Sequence, residues 1–171
     1  MNEDRSDKRR GEETLEKLFH ETLKGVYYAE HNILKALPKM AKGAASSELK
    51  EALEKHRDET ETHIKRLQQV FEIFGAPPQG STREAIGAII AEGEKVLREL
   101  KGQLSLDAAL ISWARTVEHY EIAQYGSLAR WAVELRLKEA LPLLLETLEE
   151  EVATDYALTK LTERGINSRA K

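Results

Sequence analysis

Glu30, Glu59, Glu118, Glu121, Glu151 and Asp155 occupy positions where the apolar stripe of a long helix should carry leucine. A buried carboxylate without a partner is too costly to keep, and no Lys or Arg lies on the same stripes to neutralise it. His56 and His63 stand three residues before and four after Glu59, so all three share one helix face. Carboxylates with imidazole make a ligand set that suits iron or manganese far better than copper, and two such ions would balance the charge of the layer. The expected metal ligands are Glu30, His56, Glu59, Glu118, Glu121, Glu151 and Asp155, with His63 next after His56. Glu59, central to its face, is the ligand whose loss should weaken binding most. A single acid on such a stripe is ordinarily an edge residue that reaches water. Six at one height are a different matter.

That common height follows from the elements that must carry the acids. Apolar residues three and four apart predict a first helix from about Glu12 to Lys42, with Pro38 bending its last turns. A second, capped by Ser46 or Ser47, runs to Phe74 and ends at Gly75, Pro77 and Pro78. Ser81 to Glu84 form a capping-box pattern ahead of a short helix that reaches Leu100. A fourth helix follows Ser105 to about Leu135, and a fifth runs from near Lys138 to Gly165 with Pro142 in its first turn. Glu30 lies 15 residues before the turn at Ala45 and Glu59 lies 14 after it, so in an antiparallel pair they sit level. Around Leu137, Glu121 and Glu151 lie 16 before and 14 after, and Glu118 and Asp155 lie 19 before and 18 after. Two helical hairpins joined by a long crossover with its own small helix describe an all-α four-helix bundle whose connection resembles the ferritin type.

Composition permits this fold and excludes several functions. The 171 residues are 41% hydrophobic and 33% charged, enough for one domain with a real core, at 12–165 between a polar tail at 1–11 and a polar end at 166–171. A net charge of -4 leaves no basic footprint for nucleic acid, and the absence of cysteine removes disulfides, thiolate ligands and thiol nucleophiles. No apolar run approaches a membrane span, and the N-terminus has neither signal nor transit character, so a cytoplasmic protein is expected. His20 and His119 lie off the stripes and are expected at the surface or core edge, while Tyr27, Tyr28, Tyr120 and Tyr125 near the acids are expected to pack and hydrogen bond.

Tyr27-Tyr28-Ala29-Glu30, Leu34 to Ala41, His56 to Glu61, Val117 to Ala123 and Ala153-Thr154-Asp155 together resemble the YciE/YciF-type ferritin-like proteins, a family long catalogued as a domain of unknown function. The resemblance covers about residues 14 to 163. It implies a di-metal bundle of the ferritin and rubrerythrin superfamily, a homodimer, and an association with bacterial stress. That superfamily places a histidine three residues after the glutamates of its second and last helices, where this chain has Thr62 and Thr154. His56 is the preferred substitute, Asp155 fills the corresponding place on the fifth helix, and Glu118-x-x-Glu121 resembles the paired acids of rubrerythrins. The leading expectation is redox chemistry of bound iron or manganese with dioxygen or hydrogen peroxide, using an outside electron donor. Two alternatives stay open: a non-enzymatic stress-associated bundle with a structural metal, and iron storage or binding.

Overall fold

The computed structural model describes residues 14–166, so the tail expected at 1–11 and all but the first residue of the polar end lie outside the described residues. Five α-helices follow in order: α1 Leu15–Gly43, α2 Ser47–Phe74, α3 Glu84–Glu99, α4 Leu106–Glu134 and α5 Ala140–Leu161, with a π-helical turn at Thr162–Ile166. No strand occurs among the described residues. Helix α1 packs on α2, α2 on α5, α5 on α4 and α4 on α1, which closes a four-helix bundle of ferritin-like topology. The small helix α3 of the crossover packs against α1 and α4.

Local chemistry sets the ends. The Ser46 hydroxyl accepts the Leu49 amide, and Gly75 closes α2 at φ 84°, a left-handed turn that glycine enters without a Cβ clash. Helix α1 runs through Pro38 to Gly43. The capping box expected before α3 does not form: Arg83 stands at the N-cap without a side-chain cap bond, and its guanidinium donates instead to the Glu21 carbonyl of α1. That cation and the Ser81 amide, which donates to the Lys24 carbonyl, tie the crossover to α1. Asp107 performs a similar task at the other end. Its two carboxylate oxygens accept the Ala45 and Ser46 amides at 2.8 and 2.7 Å, so the start of α4 holds the α1–α2 turn.

The interior is divided. One apolar cluster gathers Ile33, Leu37, Leu53, Leu110, Val117 and Leu158; the other gathers Phe19, Leu23, Leu67, Phe71, Leu128 and Leu144. On every long helix the break between clusters falls at the same height, and polar residues fill it: Glu30, then His56, Thr60 and His63, then Glu118 and Glu121, then Thr147 and Glu151. The antiparallel register read from the turns places these residues in one layer.

Candidate metal centre

Six ionisable side chains of this layer are buried to 2% exposure or less: Glu30, His56, His63, Glu118, Glu121 and Glu151. Two groups form among them. His56, Glu118, Glu121 and Glu151 each offer a ligand atom, all within 4.8 Å of one another, and so do Glu30, His63 and Glu151. Glu151 belongs to both groups and joins them. Nε2 of His56 lies 3.2 Å from Glu118 and 3.8 Å from Glu121, while Nδ1 of His63 lies 3.0 Å from Glu151 and 3.5 Å from Glu30. The two rings stand 6.5 Å apart, centre to centre. Two oxygen or nitrogen ligands on opposite sides of a divalent first-row ion are separated by about 4.2 Å, given bond lengths near 2.1 Å. Each group therefore needs only a small contraction to surround one ion.

The remaining expected ligands lie outside both groups. Glu59 is 21% exposed, paired with Lys55, and accepts from the Thr154 hydroxyl at 3.4 Å. Asp155 is drawn away by Arg115, which donates to it at 2.8 Å, and by His119 at 3.3 Å. His63, placed second to His56 in the sequence, stands within the layer as fully as His56 does. His119 is largely exposed, and His20 stacks at the core edge on Phe74, 5.0 Å between ring centres. Tyr125 is buried beside the layer and its hydroxyl donates to Glu30.

Electrostatics set the two histidines and three of the acids apart. Burial, reinforced by the charge of Glu151, pushes Glu118 well above the ordinary carboxylate range, and Glu121 is pushed up by burial, Glu151 and Glu30. Burial lowers His56 and favours its neutral form. Burial also acts to lower His63, but its contacts with Glu151 and Glu30 prevail and raise it to about 11. Glu151 is held below its usual range because His63 and His56 outweigh burial.

Ten buried side-chain atoms among the described residues lack a hydrogen-bond partner, and all ten belong to these six residues. They comprise both oxygens of Glu118, Glu121 and Glu151, Oε2 of Glu30, both nitrogens of His56 and Nδ1 of His63. At about 1–3 kcal/mol for each unsatisfied group, the layer would offset most or all of the ~5–15 kcal/mol by which a domain is stable. Carboxylate oxygens and imidazole nitrogens that converge on two common points in this way fit cations bound between them.

The family described as "Domain of unknown function (DUF892)" matches residues 14–171. The chain belongs to the DUF892 family. Protein YciF of Escherichia coli (strain K12) is 38% identical over 159 residues, which cover 92% of this chain and 96% of YciF. The crystal structure of that E. coli stress protein superposes on this member of the DUF892 family with a TM-score of 0.87, over 91% of this chain and 99% of its own. YcfI from Rhodopseudomonas palustris is 41% identical, with a TM-score of 0.84 over 88% of this chain and 96% of its own. A Xanthomonas campestris protein at 19% identity and a TM-score of 0.70 shares the fold. Among the described residues no helix is long and apolar enough to cross a membrane.

Proposed function

We propose that this DUF892 protein is a ferritin-like di-metal carboxylate protein that binds two iron or manganese ions, one in each buried group, with Glu151 shared between them. The observation that carries this reading is the set of ten unpartnered atoms confined to six residues of one layer. Bound iron or manganese would supply electron-transfer chemistry toward dioxygen or hydrogen peroxide. The protein's own part is to hold three carboxylates and one imidazole on one side and two carboxylates and one imidazole on the other, out of bulk water. Tyr125 constrains Glu30 by occupying one of its oxygens, which leaves the other for the layer. The name of E. coli YciF as a stress protein supports a role in the bacterial stress response.

Elemental analysis of protein purified without added metal, followed by uptake from anaerobic Fe(II) or Mn(II), tests the reading. Two ions per chain are expected. Protein that arrives without metal and takes up neither ion refutes it. A second reading draws on the raised proton affinities of Glu118 and Glu121, because protons shared among acids can also quiet the layer. A non-enzymatic, stress-associated bundle with no required metal would then remain, and the same uptake experiment separates the two.

A further inference from the structure

The two buried histidines are not oriented in the same way. Neither ring nitrogen of His56 has a hydrogen-bond partner, and the groups near them are the layer's own acids, Glu118 at 3.2 Å from Nε2 and Glu151 at 3.9 Å from Nδ1. His63 instead reaches outward. Its Nε2 lies 2.8 Å from Oε2 of Glu150, a residue 31% exposed and one position before Glu151 on α5.

Glu150 is itself fixed. Arg66, one turn beyond His63 on α2, donates through one terminal nitrogen to Glu150 Oε2 at 2.6 Å and through the other to Oε1 at 3.1 Å. The same guanidinium reaches Glu146 at 2.7 Å and the Thr147 hydroxyl at 3.3 Å. A fork on both oxygens sets the plane of a carboxylate, which a lysine could not do. With Arg66 donating to both of its oxygens, Glu150 faces His63 as an acceptor only. Nε2 of His63 must then be the donor, and Nδ1 is the nitrogen left to face Glu30 and Glu151.

We propose that Glu150, held by Arg66, is the positioning residue of the Glu30, His63 and Glu151 group, committing Nε2 of His63 to the protein and presenting Nδ1 to a cation. His56 has no counterpart. The inference rests on the di-metal reading for its cation, though not for the orientation of the ring. Loss of a carboxylate that orients a ligating histidine lowers metal affinity roughly 10- to 100-fold.

Zn(II), being diamagnetic, serves as the probe for wild type, Glu150→Leu and Glu150→Gln. Wild type should retain two zinc ions per chain through dialysis, and long-range 1H–15N spectra should show His63 protonated at Nε2 with zinc at Nδ1. Glu150→Leu should retain one zinc and lose the single His63 tautomer. Glu150→Gln, whose amide oxygen can accept the same N–H, should stay close to wild type in both respects. Zinc at Nε2 in wild type, or a leucine variant indistinguishable from wild type, overturns the proposal. If wild type takes up no zinc, the di-metal reading falls, and orientation is judged on the zinc-free protein. There the Nε2 proton of His63 should exchange slowly with solvent in wild type and Glu150→Gln and rapidly in Glu150→Leu; equal rates overturn the proposal. Should the leucine variant not fold, Arg66→Met releases Glu150 while keeping it, and must shift the His63 spectrum for the proposal to stand.

Discussion

Stripping cations from the layer should make the protein more stable at pH 5 than at pH 7. Glu118 and Glu121 have folded proton affinities raised well above those of the unfolded chain. Their stabilisation is therefore full below the unfolded pKa and is lost as pH rises through the folded one. Each acid that is protonated when folded and ionised when unfolded contributes at most about 1.4 kcal/mol per pH unit, a ceiling of roughly 5 kcal/mol for the pair across two units. His56 opposes them. Its folded pKa is lowered, so below about pH 6.5 the unfolded chain takes the proton first, which offsets roughly 2 kcal/mol by pH 5. Raised affinity at His63 works with the acids near neutrality, and lowered affinity at Glu150 and Glu151 acts mainly below their unfolded range. A net gain of at most about 3 kcal/mol remains, worth roughly 6–12 °C in a chain of this size. Melting curves with chelator at pH 5, 6 and 7 measure it, and a Glu118→Gln/Glu121→Gln variant supplies the comparison. Wild type must show the rise and the double variant must lose it; parallel profiles would refute burial of these acids. Added Fe(II) or Mn(II) should stabilise most near pH 7, where the cation does not compete with protons.

Glu151→Ala should lower metal stoichiometry more than Glu59→Ala, because Glu151 joins both groups whereas Glu59 is half-buried and paired with Lys55; calorimetric titration checks the order. Asp107→Ala should cost about 1–3 kcal/mol in urea unfolding, since it strips the Ala45 and Ser46 amides of their acceptor. Glycine-to-alanine changes in α3 should have opposite signs in Tm. At Gly87 nothing lies within 4 Å of a new methyl group and the helix gains about 0.5–1 kcal/mol, whereas at Gly93 the methyl would meet the Trp113 ring at 2.5 Å and Met40 at 2.8 Å, a loss of about 1–3 kcal/mol.

Residue periodicity contained the bundle and the height of its polar layer, because an acid that replaces an apolar residue at a fixed distance from a turn carries both facts. It could not rank the acids. Glu59 and Asp155 sit at the right height but toward the edges of their stripes, where Lys55 and Arg115 can reach them, and a difference of one helical position decides between layer and seam. Glu150 and Arg66 were not legible for another reason. Glu150 looks like one more surface acid in the run Glu149-Glu150-Glu151, and Arg66 lies off the apolar stripe, its long side chain bridging from α2 to α5. Asp107 resembles an ordinary first-turn acid of α4, and its true partners are more than sixty residues away in the chain. Contacts made by long side chains across helices leave no period in the sequence.

The placement of α3 gives the bundle an inside wall and an outside wall of unequal thickness. On the α1 and α4 side the small helix adds a second course, sealed by Trp113, whose indole N–H is bonded to the Ile89 carbonyl. On the α2 and α5 side no further helix is laid on the bundle among the described residues, and polar side chains, Glu59, Arg66, Glu150 and Thr154, meet between the two helices. Only one residue separates solvent from a buried imidazole there, since Glu150 is partly exposed and touches His63 directly. The bundle thus has a back made of the first helix of each hairpin and a front made of the second.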